Sequence, residues 1–114
     1  MVVQLKNAVP SVAEKIYNVF QSAYKVEALL IKASHFPPLS RMQHDIVRSN
    51  ALFYGFYCES TLAGVIEIKV KNKCLSIESL TVHPSYFKKG IAGKLIAHAL
   101  KSHTYNKAIV ETAV

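Results

Sequence analysis

A single mixed α/β (α+β) domain, with elements in the order β-α-α-β-β-β-α-β, is what this 114-residue sequence predicts. Three features carry that expectation. At Leu52 the apolar period falls from three or four residues to two. It stays there through three runs joined by short polar turns, the mark of a central antiparallel meander. The third run passes through a proline and a glycine-bearing basic loop into an amphipathic helix. A last apolar run, Ala108 to Val114, follows that helix and completes a strand–helix–strand crossover, which is right-handed and returns a parallel strand.

Val2-Val3-Gln4-Leu5 is the opening strand. Pro10-Ser11 starts a helix, and Val12, Ile16, Val19, Phe20 and Ala23 follow at helical spacing to an expected end near Tyr24. Ala28 to Ile31 continues apolar, as a further helical turn or as irregular chain, and Pro37-Pro38 breaks whatever precedes it. Ser40 is the expected N-cap of a helix carrying Met42, Ile46 and Val47. The least regular segment, Ala28 to Ser40, is the expected substrate-facing loop.

Leu52 to Cys58 is an aromatic-rich strand and Glu59-Ser60-Thr61 a turn. In the next strand, Ala63 to Lys71, Ile66, Ile68 and Val70 alternate with Glu67, Lys69 and Lys71, which predicts one packed face and one wet face. Asn72-Lys73 makes the following turn. In the third strand of the meander Leu75 and Ile77 are apolar in one phase, whereas Leu80 and Val82 are apolar in the other. An extra residue across Glu78-Ser79, a β-bulge, returns both pairs to one face; a strand buried on both faces is the alternative. Ile91, Leu95, Ile96, Ala99 and Leu100 form the stripe of the last helix, and the final strand is expected beside Ile77 to Val82.

Residues 1–114 suffice for one domain with a sheet covered on both faces. The net charge of +7 favours an anionic partner: nucleic acid, a phosphorylated cofactor or an acidic substrate. No basic run is longer than Lys88-Lys89, so the stripe of a nucleic-acid binder is missing. Cys58 and Cys74 sit on strands flanking a third, an expected separation of roughly 10 Å that no disulfide spans. Met1 to Lys6 lacks a secretory h-region and no apolar run approaches a membrane span, which together with the cysteines predicts a cytoplasmic protein. His35, His44, His83, His98 and His103 include no pair at metal-ligand spacing, so no metal site is expected.

The chemistry concentrates between Leu80 and Leu95. There the strand ends at His83-Pro84, and Lys88 and Lys89 precede Gly90 and Gly93 at a helix start. A glycine loop at a helix N-terminus presents unbonded N–H groups beside the positive end of the helix dipole, and lysines on its rim suit a phosphate. An ordinary strand-to-helix turn with a solvated basic corner is the plainer reading. Gly90-Ile91-Ala92-Gly93-Lys94 is not a Walker A loop, which needs four residues between its glycines and Ser or Thr after the lysine.

The run from Leu62-Ala63-Gly64 through Ile77-Glu78-Ser79-Leu80-Thr81-Val82-His83-Pro84 to Tyr86-Phe87-Lys88-Lys89-Gly90-Ile91-Ala92 resembles the GNAT superfamily of acyl-CoA N-acyltransferases. The order of elements agrees with that resemblance over nearly the whole chain. The family signature is Arg or Gln, two variable residues, Gly, one variable residue, then Gly or Ala. Gly90 and Ala92 match it, and Phe87 stands where the signature has Arg or Gln. The resemblance implies a GNAT-like mixed sheet whose fourth and fifth strands are parallel and splay at the bulge. It implies acetyl-CoA as co-substrate, held by Leu80, Thr81, Val82, Phe87, Lys88, Lys89, Gly90, Ile91, Ala92, Gly93 and Lys94. Loop N–H groups would cradle the pyrophosphate, and Leu80 and Val82 would pair their backbone with the pantetheine arm.

The implied reaction is acetyl transfer from the thioester to a primary amine of a small molecule or peptide. Glu78, beside the bulge, is the candidate base, directly or through water, and the Val82 N–H would polarise the carbonyl; a solvated strand carboxylate is the plainer reading of Glu78. Family members usually continue with a helix and a two-strand hairpin, so the open edge of the last strand predicts a homodimer or another partner there. A non-catalytic acyl-CoA-binding or interaction module is the second reading, favoured by Phe87.

Overall fold

The computed structural model describes residues 2–30 and 42–110, with the side chains of Tyr24 and of 27–30 left aside. The elements run β1 (Val2–Leu5), α1 (Pro10–Leu30), α2 (Gln43–Arg48), β2 (Leu52–Cys58), β3 (Thr61–Lys71), β4 (Cys74–Val82), α3 (Ile91–Ser102) and β5 (Lys107–Val110). The strands form one sheet in the order β1-β2-β3-β4-β5, antiparallel except for the parallel pair β4–β5. This is the mixed sheet expected from the sequence.

Each face of the sheet has its own core, because β2 and β3 are covered on both sides. On one face Ile16, Val19 and Phe20 of α1 and Ile46 of α2 pack on Leu5, Phe53 and Val65. On the other, Ile91, Leu95 and Ala99 of α3 pack on Ile66, Ile68 and Ile77. The predicted wet face of β3 is therefore wrong over most of its length. Leu62 to Ile68 is buried throughout, and only Thr61 at one end and Lys69 to Lys71 at the other are exposed. Glu67, expected in water, is 5% exposed beneath the α1 face. A buried carboxylate needs donors, and Ser79 donates its hydroxyl to Glu67 at 2.8 Å while Ser49 does so at 3.5 Å.

Several boundaries shift for identifiable reasons. α1 outruns its expected end near Tyr24 and reaches Leu30. No Gly or Pro lies between Ser11 and Leu30, and Lys25, Glu27, Ala28 and Leu29 all favour helix. Pro37-Pro38 and Ser40 lie outside the described residues, as does the expected substrate-facing loop beyond Leu30. The N-cap of α2 is Met42, whose N–H is accepted by the Asp45 carboxylate at 2.8 Å, so an acidic first turn does the capping. Cys58 pairs with Thr61 and Cys74 with Lys71, at opposite ends of β3. Ten residues of strand put them roughly 30 Å apart rather than 10 Å; both are free thiols.

Two side-chain clasps tie the layers together. Asn7 donates to the carbonyls of Ile46 at 2.7 Å and Ser49 at 3.0 Å, fastening the end of β1 to α2. Tyr54 of β2 is buried and its hydroxyl lies 2.9 Å from His103 Nε2 at the end of α3; burial raises the Tyr54 pKa. Gly64 lets α3 come down on the sheet. A Cβ there would stand 2.8 Å from Ile91 Cγ2 and 3.2 Å from Leu95 Cδ1.

Asn7→Ala removes two hydrogen bonds and leaves the Ser49 carbonyl short of a donor, while the Ile46 carbonyl keeps the Ser49 N–H; chemical denaturation should show a loss of about 1–3 kcal/mol. Gly64→Val drives a side chain into the first turn of α3 and costs about 1–3 kcal/mol. The thermal midpoint should fall by several degrees, and an unchanged midpoint would contradict this account of the close approach.

Candidate functional site

The site begins with the register of β3 against β4. Ser79 lies opposite Glu67 and Ile77 opposite Ile68, so Glu78 is an extra residue on β4 with no partner of its own. That is the bulge expected from the phase slip. It brings Leu75, Ile77, Leu80 and Val82 to the α3 core and turns Ser79 and Thr81 to the α1 side.

The described part of the parallel strand reaches the same place. Among the described residues β5 pairs Cys74, Leu75, Ser76 and Ile77 with Lys107 to Val110 and so reaches the first residue of the expected stretch; the expected continuation, 111–114, lies outside the described residues. Past the bulge, among the described residues, β4 has β3 on one edge only. Consecutive strand residues direct their N–H and C=O groups to opposite edges. The His83 N–H goes to the Ala63 carbonyl of β3 at 2.8 Å. Val82, one residue earlier, and Leu80, three earlier, therefore direct their backbone groups to the open edge.

A single 3-10 turn, Pro84–Tyr86, leads out of β4. It is held by Ser85 N–H donating to His83 Nδ1 at 3.1 Å and by Phe87 N–H donating to the Pro84 carbonyl at 3.3 Å. Lys88 and Gly90 then take left-handed conformations, with φ of 64° and 73°. Gly90 is the N-cap of α3, and this φ is why glycine suits the position. The first helical bond of α3 is Lys94 N–H to the Gly90 carbonyl at 3.2 Å. The N–H groups of Ile91, Ala92 and Gly93 accordingly have no intrahelical acceptor.

Strand edge and loop enclose one cavity of about 560 Å³, lined by Leu80, Val82, Tyr86, Phe87, Lys88, Lys89, Gly90, Ile91 and Ala92. Most of the residues expected to hold the cofactor are thus together. Thr81 is not among them, because it is 4% exposed on the α1 side of β4. Lys94 is not either. It lines a second cavity with Phe56 and Lys101, and an α-helix turns about 100° per residue, which puts Lys94 about 160° around the axis from Ala92. Gly93 is exposed and does not line the cavity, and it has no atom within 4 Å of a built Cβ. Tyr86 was missed as a lining residue. Its position before the loop disguised a half-buried ring that packs with the α3 core and meets His83 edge-on at 6.1 Å.

Glu78 lies apart from the loop, on the α1 side of the bulge. Ser76 donates its hydroxyl to Glu78 at 2.5 Å, and Lys69 Nζ stands 3.7 Å from the other carboxylate oxygen, with the Glu78 side chain 26% exposed. The carboxylate is held in place while remaining open to water. Among the described residues, no three His, Cys, Asp or Glu side chains gather into a metal-binding group, and no helix is long and apolar enough to cross a membrane.

An open strand edge feeding a cationic loop of free N–H groups can hold an extended chain that ends in a phosphate. The sequence matches the profile of the Acetyltransferase (GNAT) family over residues 13–110. It is 32% identical over 96 residues to the UPF0157 protein YqkA of Bacillus subtilis (strain 168), a match spanning 84% of this chain and 28% of that protein. The fold is similar to that of PaiA N-acetyltransferase from Thermoplasma acidophilum in complex with coenzyme A, with a TM-score of 0.73 and 24% identity over 90% of this chain and 70% of that one. It is also similar to a GNAT family acetyltransferase from Brucella melitensis in complex with acetyl-CoA, with a TM-score of 0.68 and 16% identity over 96% of this chain and 73% of that one. With the profile covering most of its length, the chain belongs to the Acetyltransferase (GNAT) family.

Proposed function

We propose that this chain binds acetyl-CoA in the cleft between the open edge of β4 and the loop before α3, and transfers the acetyl group to a primary amine. The observation that carries the reading is the bulge and the cleft beside it. Glu78 has no partner on β3, and just beyond it Leu80 and Val82 line the cleft. The cleft therefore opens where the backbone of Leu80 and Val82 faces away from β3 and can bond a pantetheine amide, and it runs towards Lys88, Lys89 and the N–H groups of Ile91 and Ala92. A pyrophosphate at that loop meets unbonded donors, the positive helix end and two lysines.

In this reading the acceptor enters from the α1 side, where Glu78 takes the ammonium proton directly or through one water. The freed amine attacks the thioester carbonyl carbon, with the oxygen polarised by the Val82 N–H. The C–N bond forms, the C–S bond breaks, and the thiolate leaves to pick up a proton. Ser76 and Lys69 orient the carboxylate for its part.

One feature supports a second reading, an acyl-CoA-binding module without turnover. Phe87 is 47% exposed at the rim, at the position where the signature has Arg or Gln. Titration calorimetry with acetyl-CoA and with CoA, followed by thiol release over a panel of amines, separates the two. Binding with turnover supports the enzyme, binding without turnover on every amine supports the module, and no binding overturns both. Glu78→Gln is expected to lower kcat by roughly 10²–10⁴ while leaving acetyl-CoA affinity near wild type. Gly90→Val forces a β-branched residue into a left-handed conformation at a cost of about 1–2 kcal/mol, and it should weaken CoA binding far more than folding. Self-association along the β5 edge, where Val110 is 63% exposed, belongs to the same proposal. A monodisperse monomer at high concentration in light scattering removes it.

A further inference from the structure

The second cavity, about 480 Å³, lies on the flank of α3 away from the proposed acetyl-CoA cleft. Its walls are α3, β1 and β2, and it is lined by Val2, Phe56, Lys94, Ala97, His98 and Lys101. Lys94, His98 and Lys101 recur at helical spacing, so all three project to one side, with the two lysines about 10 Å apart along the axis. None of the three walls contains an Asp or Glu. The absence reaches further: from Ser79 to Val110 the chain carries Lys88, Lys89, Lys94, Lys101 and Lys107 and no acidic residue. The positive charge of this groove is therefore not neutralised by its own walls.

The floor is aromatic. Lys94 Nζ stands 5.3 Å from the centre of the Phe56 ring, a cation–π contact that parks the ammonium over the groove. Beside it Tyr54 is buried, with the His98 ring edge-on at 5.0 Å. Cations on the rim suit a phosphate, and a phenyl floor suits a flat ring. A ligand that joined the two could stack where the Lys94 ammonium now lies, with that ammonium swung onto its phosphate.

We infer that the groove between α3 and the β1–β2 edge is a second anion site, for a phosphate monoester carried on a flat ring, the chemistry of a nucleoside monophosphate. It is separate from the acetyl-CoA cleft, because Ala92 and Lys94 face opposite flanks of α3. The same chemistry exists at the adenosine end of CoA, so the test must tell a free nucleotide from CoA itself.

The full chain is titrated with adenosine 5′-monophosphate, inorganic phosphate and adenosine, each with and without saturating CoA. The monophosphate should bind with salt-dependent affinity, more tightly than phosphate or adenosine alone, and CoA should not displace it. Lys94→Gln with Lys101→Gln should weaken the monophosphate by roughly tenfold per lysine, the loss of one charge-assisted contact each. Lys101→Gln alone should leave CoA affinity unchanged. Phe56→Leu should weaken the monophosphate and leave inorganic phosphate as it was. Displacement by CoA, wild-type affinity in the double variant, or no binding of the monophosphate would each overturn the inference, whatever the outcome for acetyl transfer.

Discussion

One extra residue in β4 determines most of what is distinctive here. Without Glu78 as an unpaired insertion, Ser79 would not stand opposite Glu67 nor Ile77 opposite Ile68. The slip lets a strand whose apolar residues change phase feed a single core, because Leu75, Ile77, Leu80 and Val82 all reach the α3 side. It also falls just past Ile77, the furthest β4 residue paired by the described part of β5. A straight β4 could carry a continuous parallel partner, and the backbone of Leu80 and Val82 would then be consumed by the sheet. The bulge thus trades ladder hydrogen bonds for an edge that a ligand can use.

The same slip fixes the polar interior of the α1 side. Ser79 and Thr81 replace what would otherwise be apolar residues beneath α1, and Ser79 is the donor that makes a buried Glu67 tolerable. A polar pair inside a core costs stability if either partner goes. Here it sits one strand from Glu78, so the serine-held carboxylate and the proposed base share one face of the sheet. The chain gives that face its acidic character with two glutamates, each fixed by a neighbouring serine.

Much of this was legible in the residues, for physical reasons that also mark where legibility ends. The bulge could be read because side chains in a strand alternate strictly, so Leu75–Ile77 and Leu80–Val82 could not share a face without an insertion. The loop could be read because Pro84 stops a ladder and Gly90 permits a positive φ. The burial of Glu67 could not, since alternation tells that two faces differ and not that a helix covers both. That Lys94 lines a different cavity from Ala92 could not be read, because consecutive numbers look like one surface whereas a helix turns them to opposite flanks. For β5 the sequence offered adjacency to β4 and no exact alignment, since parallel strands joined by a helix carry no turn that fixes it. The cysteines were misplaced for a related reason, as strand adjacency says nothing about position along the strand.

Charge is divided across the sheet in a way that bears on mechanism. The α3 side, with its loop, holds Lys88, Lys89, Lys94 and Lys101 and no carboxylate from Ser79 onward in the described chain. The α1 side of β3 and β4 holds Glu67 and Glu78. A field of this kind draws a phosphorylated ligand to one face and a protonated amine to the other. The thioester carbon of a ligand laid along Leu80 and Val82 would then lie between them, near the bulge. In the proposed reaction Glu78 would take its proton across the sheet from Lys88, Lys89, Lys94 and Lys101, with Lys69 Nζ 3.7 Å from its carboxylate. On the proposed function, a sheet that opens at one bulge would let a strongly basic protein set a carboxylate apart from the lysines of the loop, and so receive an anion on one face and a protonated amine on the other.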